Sequence, residues 1–140
     1  TKSMLAVWRE WKLDKLLKKA YDRGAILSGV SAGAICWFDK GVTDSWASNL
    51  NLIDCMGILK GSCCPHYNSE KDRRPSVHKF IKDKRAPSVY SIEDGAAIHF
   101  KDDKPFKNIS FIEGAKVFVV EEKNNIMKEN AQTMHSIIKQ

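Results

Sequence analysis

Apolar positions recur with helical spacing through the first two dozen residues. Met4, Leu5, Trp8, Trp11, Leu16, Leu17 and Ala20 share a face, and Arg9, Lys12, Lys15, Lys18 and Lys19 lie largely outside it. This spacing predicts helix over residues 3–23, with a break near Lys12-Leu13, Asp14 capping the restart and Gly24 as the stop. The pattern then changes. Ala25-Ile26-Leu27-Ser28-Gly29-Val30 is a short, continuous apolar run and predicts a buried parallel strand, followed by a helix beginning in residues 32–38. Residues 39–57 are mixed, with several Asn, Ser and Asp, and predict mainly loop. Ile58–Cys64 predicts a strand ending at Pro65-His66, and residues 75–84 show weak helical character behind Pro75. Ser88–Ile92 and Ala96–Phe100 flank a Glu93-Asp94-Gly95 turn. A further pair of strands, Ile109–Ile112 and Lys116–Val120, surrounds Glu113-Gly114. Past Asn124, the spacing of Ile126, Met127, Met134, Ile137 and Ile138 predicts helix.

No repeat or composition shift divides these elements, so residues 1–140 are expected to be one α/β domain. Hydrophobic residues make up 43 % and charged residues 29 %, which excludes intrinsic disorder. No apolar run reaches the ~20 residues of a membrane-spanning helix, and Thr1-Lys2-Ser3-Met4, which leads directly into the helical pattern, is not expected to form a signal peptide. Lysine and arginine total 23 against 17 acidic residues, a net charge of +6. These charges are dispersed, and aromatics do not interleave with the basic residues. A solvated surface is therefore expected, with neither nucleic acid nor membrane as partner. Cys36, Cys55, Cys63 and Cys64 form no C-x-x-C pair. Free buried thiols in a reducing cytoplasm are expected, with no metal and no organic cofactor.

Gly29-Val30-Ser31-Ala32-Gly33 matches G-x-S-x-G between an apolar run and a helix, the context in which that motif presents a nucleophile. Small neighbours let the backbone bend sharply. The helix start aims N–H groups at developing negative charge, which makes the Ala32 amide the natural oxyanion donor. Against this stands a plain structural turn with a capping serine. A serine nucleophile needs a base, and His66, His78, His99 and His135 are available. His66 stands at a strand's carboxyl end, like Ser31, and carboxyl ends converge on one cleft in an open parallel sheet. A carboxylate must then orient the imidazole. Asp44, Asp39, Asp54, Glu93 and Asp94 all compete for that place, and position does not separate them.

The run Gly29-Val30-Ser31-Ala32-Gly33-Ala34, with Asp44-Ser45-Trp46, Cys64-Pro65-His66-Tyr67 and Ile92-Glu93-Asp94-Gly95-Ala96-Ala97, resembles the peptidase E (aspartyl dipeptidase) family over residues 1 to about 121. These are serine peptidases of clan PC. The resemblance implies a three-layer sandwich around a mainly parallel sheet, like the class I glutamine amidotransferases. It places the nucleophile on Ser31, the base on His66 and the acid on Asp44. It also implies a short peptide substrate headed by aspartate, with Arg73 or Arg74 pairing to the aspartate carboxylate and Glu93 supporting the site. Members of that family carry opening strands and a glycine-rich loop upstream of the segment matching Thr1-Lys2-Ser3. The chain is thus expected to be truncated at its N-terminus, or to self-associate to cover the strand at 25–30. Two rivals remain: a non-catalytic remnant or interaction subunit of this fold, and an esterase-type acyl hydrolase.

Overall fold

The fold is that of a computed structural model describing residues 1–137. Two helices open the chain, α1 (Lys2–Glu10) and α2 (Leu13–Asp22). They break where expected, at Lys12, whose φ of 56° is left-handed. The first helix is anchored by Leu5, which is buried, and by Arg9, whose guanidinium donates to the Asp54 and Cys55 carbonyls at 2.9 and 3.2 Å. The second buries no residue.

A short helix α3 (Ala32–Ile35) follows, then β1 (Phe38–Thr43), β2 (Asn51–Asp54), β3 (Leu59–Cys64), α4 (Arg73–Lys82), β4 (Ser88–Ile92), β5 (Ala96–Lys101), β6 (Lys104–Ser110), β7 (Val117–Lys123), β8 (Ile126–Ala131) and β9 (Met134–Ser136). The larger sheet has the order β2-β1-β3-β4-β7-β8, and β5-β6-β9 form a smaller one. The fold is mixed α/β. Only the β1–β3 and β3–β4 pairings of the larger sheet are parallel, so the sheet is mixed where a mainly parallel one was expected.

Side chains alternate across a strand, so successive residues face opposite sides. Cys64, Val89 and Val42 point to one face, where they pack with Val77, Phe80 and Ile81 of α4. Cys63 and Phe38 point to the other, packing with Ile35 of α3 and with Phe100 of β5. The parallel trio β1-β3-β4 is thus covered on both faces, and its carboxyl ends, at Thr43, Cys64 and Ile92, share one edge.

Several further expectations fail. Residues 25–30 pair with no strand among the described residues, and Ile26 and Val30 are 94 % and 84 % exposed. Within the larger sheet β3 already has a strand on each side, β1 and β4. Residues 39–57, expected as loop, contain β1 and β2. The charges of β1 hid it, but they are used: Asp39 accepts from the Gly61 amide at 3.0 Å and Lys40 donates to the Arg85 carbonyl at 3.3 Å. The tail is strand, not helix. Asn124 and Asn125 have φ of 54° and 61°, as a two-residue hairpin turn requires, so the chain folds back as β8 on β7. Ile138 lies outside the described residues. The pair around Glu113-Gly114 also shifts, because β6 runs earlier, from a second such turn at Asp102-Asp103.

At the 29–33 turn, glycine is required by space. A Cβ on Gly29 would stand 2.1 Å from the Gly33 carbonyl oxygen and 2.3 Å from its carbon. Both are backbone atoms and cannot swing aside. Gly29→Ala is therefore expected to destabilise the chain by about 1–3 kcal/mol, as overpacking does. The shift of the urea midpoint, at unchanged m-value, measures it.

Candidate active site

Ser31 sits between the unpaired 25–30 segment and α3. Its φ of 53° and ψ of −117° are far from ordinary L-residue conformations. Such a conformation costs on the order of 1–3 kcal/mol and persists only where surrounding structure imposes it. Here the turn is closed by three hydrogen bonds. The Gly33 amide donates to the Val30 carbonyl at 2.9 Å, and the Ala34 and Ile35 amides donate to the Ser31 carbonyl at 3.0 and 3.1 Å. These bonds consume the amides after Ala32 and leave that of Ala32, at the helix start beside Ser31, without a backbone acceptor among the described residues.

His66 also has a left-handed backbone, with φ of 56°. Its neighbour fixes it. Tyr67 is buried, its amide donates to the Ile92 carbonyl at 3.1 Å, and its hydroxyl donates to Glu129 at 2.8 Å. Burial pushes the Tyr67 phenol up to about 12, so it keeps the proton it donates. With its chain bolted to the end of β4, His66 turns its ring over the edge of the sheet. Nε2 stands 3.0 Å from Ser31 Oγ, and Nδ1 stands 2.7 Å from Asp94 Oδ1.

The direction of these bonds follows from chemistry. A carboxylate only accepts, so Nδ1–H donates to Asp94, and Nε2 is left to accept from the Ser31 hydroxyl. Hydrogen bonds from Ser69 and then His66 hold the Asp94 carboxyl below its ordinary 3.8. The Asp94 amide in turn donates to the Asn68 side chain at 2.9 Å. Asn68 and Ser69 were missed by sequence reasoning. Their only signal was their place just after His66.

The remaining expected site residues are dispersed. Asp44 is exposed and lines a separate polar groove with Glu70, Asp72 and Lys79, whereas the carboxylate on His66 is Asp94. Asp44, expected against His66, is thus not the carboxylate that meets it. The reason is topological: β3 has two parallel neighbours, and each is followed by an aspartate. The Tyr67–Ile92 and Asp94–Asn68 bonds draw the loop after β3 toward β4 and away from β1.

Arg73 does not reach the cleft. It is 5 % exposed, donates to the Val42 carbonyl at 2.7 Å and pairs with Glu70 at 2.8 Å. Arg74 pairs with Glu129 and lies over the Tyr67 ring, 4.4 Å from its centroid. One or the other was expected to bind a substrate carboxylate, and both are instead committed within the fold. Glu93 borders the cleft, but its carboxylate accepts from the Lys116 amide at 2.8 Å and so clips β4 to the start of β7.

The four cysteines are free. Cys36, Cys63 and Cys64 are buried. Burial pushes the Cys36 and Cys64 thiols up to about 12, where they are poor nucleophiles. Among the described residues no group of three or more His, Cys, Asp or Glu is placed to hold a metal, and no helix is long and apolar enough to cross a membrane.

A serine hydroxyl aimed at an imidazole, itself held by a carboxylate, is an arrangement able to generate a nucleophile. Residues 1–107 match the model of Peptidase family S51. The chain is also 48 % identical, over 120 residues, to a Bacillus subtilis (strain 168) protein named "Uncharacterized peptidase YgaJ". That match covers 86 % of this chain and 52 % of the relative, so the chain spans about half the relative's length.

Proposed function

Because the chain belongs to peptidase family S51, we propose that its cleft hydrolyses the peptide bonds of short peptides by serine catalysis, with Ser31 as nucleophile, His66 as general base and Asp94 as the orienting acid. The observation that carries this reading is the continuous pair of hydrogen bonds, 3.0 Å from Ser31 to His66 and 2.7 Å from His66 to Asp94. Ser31 Oγ attacks the scissile carbonyl while His66 Nε2 takes its proton. The tetrahedral oxyanion is met by the Ala32 amide, and His66 then protonates the leaving amine. Water repeats the cycle on the acyl-enzyme and frees Ser31. Asp94 stays ionised throughout. It holds the ring in the tautomer that accepts at Nε2 and stabilises the imidazolium as it forms.

The covering of β1-β3-β4 on both faces supports a class I glutamine amidotransferase-like sandwich as the parent architecture. Free thiols favour a reducing, cytoplasmic setting. The intact relay argues against a non-catalytic remnant, since Ser31, His66 and Asp94 stand in the hydrogen-bonded order that activates a nucleophile.

The test is covalent. A small fluorophosphonate is expected to add one adduct, mapped to Ser31 by peptide mass spectrometry, and His66→Ala is expected to abolish the labelling while circular dichroism stays unchanged. An adduct on any other serine removes the assignment. Turnover of simple esters with none of short peptides selects the esterase reading.

A further inference from the structure

We infer that Glu129 of β8 is a positioning residue for the base: through the hydroxyl of Tyr67 it holds the turn that aims the His66 ring at Ser31. This rests on the peptidase reading above and adds to it the group that keeps the relay aligned from outside the cleft. Three side chains converge on the Glu129 carboxylate, one from the loop after β3 and two from α4. Oε1 accepts from the Tyr67 hydroxyl at 2.8 Å and from His78 Nε2 at 2.6 Å, and Oε2 accepts from the Arg74 guanidinium. Arg74 and His78 are four residues apart, on one face of α4.

The cluster closes around Tyr67. Arg74 lies over one part of the Tyr67 ring, 4.4 Å from its centroid, and the Phe118 ring packs against it with centroids 5.8 Å apart. Burial, then Arg74 and Lys82, holds the His78 imidazole below its ordinary 6.5, so near pH 7 His78 donates to Glu129 as a neutral ring. Arg74 is then the full cation that balances the carboxylate. Arg74, expected from the sequence to meet a substrate carboxylate, serves here as a brace behind the base.

Packing does not require the Tyr67 hydroxyl. Tyr67 is 2 % exposed in the core beside Val77, Phe80 and Ile81, where a phenylalanine ring would fill the same space. The hydroxyl adds one directional bond, and a satisfied polar network of this kind rigidifies what it touches. Here it rigidifies the joint next door. Upstream of His66, Cys64 ends β3, and Pro65 is buried with its φ fixed by its own ring. Downstream, Tyr67 is fastened twice, at its amide to the Ile92 carbonyl at 3.1 Å and at its tip to Glu129. His66 stands between these anchors, and its φ of 56° is where the chain takes up the turn. A left-handed residue keeps that conformation only while its surroundings impose it. With the tip of Tyr67 released, His66 can relax to an ordinary φ, which swings its ring away from Ser31.

The experiment measures how fast a small fluorophosphonate labels Ser31 in the full 140-residue chain, followed by intact mass, with the urea midpoint of each variant measured alongside. Tyr67→Phe and Glu129→Ala are each expected to slow labelling about tenfold, the scale of a misplaced catalytic group. Glu129→Gln keeps an acceptor for the hydroxyl and is expected to label within about threefold of wild type, even though it removes the charge paired with Arg74 and lowers the urea midpoint. Tyr67→Phe combined with Glu129→Ala is expected to label no more slowly than Glu129→Ala alone, because both changes break the same bond. A cluster that only stabilises the fold gives another pattern, in which the urea midpoints fall while the folded variants label at the wild-type rate. Wild-type labelling of a folded Tyr67→Phe therefore overturns the inference and leaves the peptidase reading standing. Losses that multiply in the double variant overturn it as well. Should Glu129→Ala not fold, Tyr67→Phe and Glu129→Gln decide, and equal rates in these two overturn the inference. A wild-type chain that does not label at Ser31 removes the peptidase reading and this inference with it.

Discussion

Ser31→Ala is expected to lower kcat for peptide hydrolysis by about 10⁴–10⁶-fold, the scale of losing the nucleophile from a triad that works as a unit. KM is expected to change little, because Oγ contributes to bond making rather than to holding the substrate. The variant should remain folded. Alanine adopts the φ of 53° at a cost similar to that of serine, and the three backbone bonds closing the turn do not involve the hydroxyl. Residual turnover is expected from the Ala32 amide and substrate positioning alone. Single-turnover kinetics on the wild type and the variant, with a near-ultraviolet dichroism spectrum of each, make the comparison. A folded Ser31→Ala with wild-type kcat would mean that the relay serves some other purpose.

The second expected result separates the two aspartates. Asp94→Asn is expected to cost about 10²–10⁴-fold in kcat, because an amide NH₂ facing Nδ1 favours the tautomer with the proton on Nε2. That tautomer cannot accept the proton of Ser31. Geometry is preserved in the variant, so the loss reads out the acid's role and not a collapse of the cleft. Asp44→Asn is the matched control. Asp44 is exposed and borders a different groove, so kcat is expected to stay within about twofold of wild type. The opposite outcome, with Asp44→Asn inactive and Asp94→Asn active, would require the loop after β3 to leave β4 and break the 3.1 Å Tyr67–Ile92 bond during catalysis.

These two variants also mark the boundary between what local sequence decides and what it does not. The sharp turn at Ser31 is a local object. Gly29, Ser31 and Gly33 lie within five residues of one another, and the contact that demands glycine is between Gly29 and Gly33 themselves. Neighbours in the chain suffice to read it. The helix break at Lys12, the β4–turn–β5 unit and the strand ending before His66 are equally local, so each was legible from periodicity and punctuation. The Asn124-Asn125 turn was legible too, as a left-handed pair, but the helical spacing of the apolar residues around it masked the signal.

Which carboxylate meets His66 belongs to the tertiary structure. Strand β3 has neighbours on both sides, and both are followed by aspartate, so strand order leaves Asp44 and Asp94 equivalent. The choice is made by bonds between residues 25 or more positions apart, Tyr67 to Ile92 and Asp94 to Asn68. The arginines follow the same logic. An arginine in a sequence is a cation seeking acceptors, and which acceptor it finds depends on what folding brings near. Arg73 finds the Val42 carbonyl, 31 residues away, and Arg74 finds Glu129, 55 residues away. By itself the sequence determined the sharp turn at Ser31 and the place of His66 just past the end of a strand, because these depend on backbone chemistry over a few residues. The structure decided which carboxylate meets His66, the fate of both arginines and the apolar character of the cleft, because these depend on which distant groups share the limited space at one edge of the sheet.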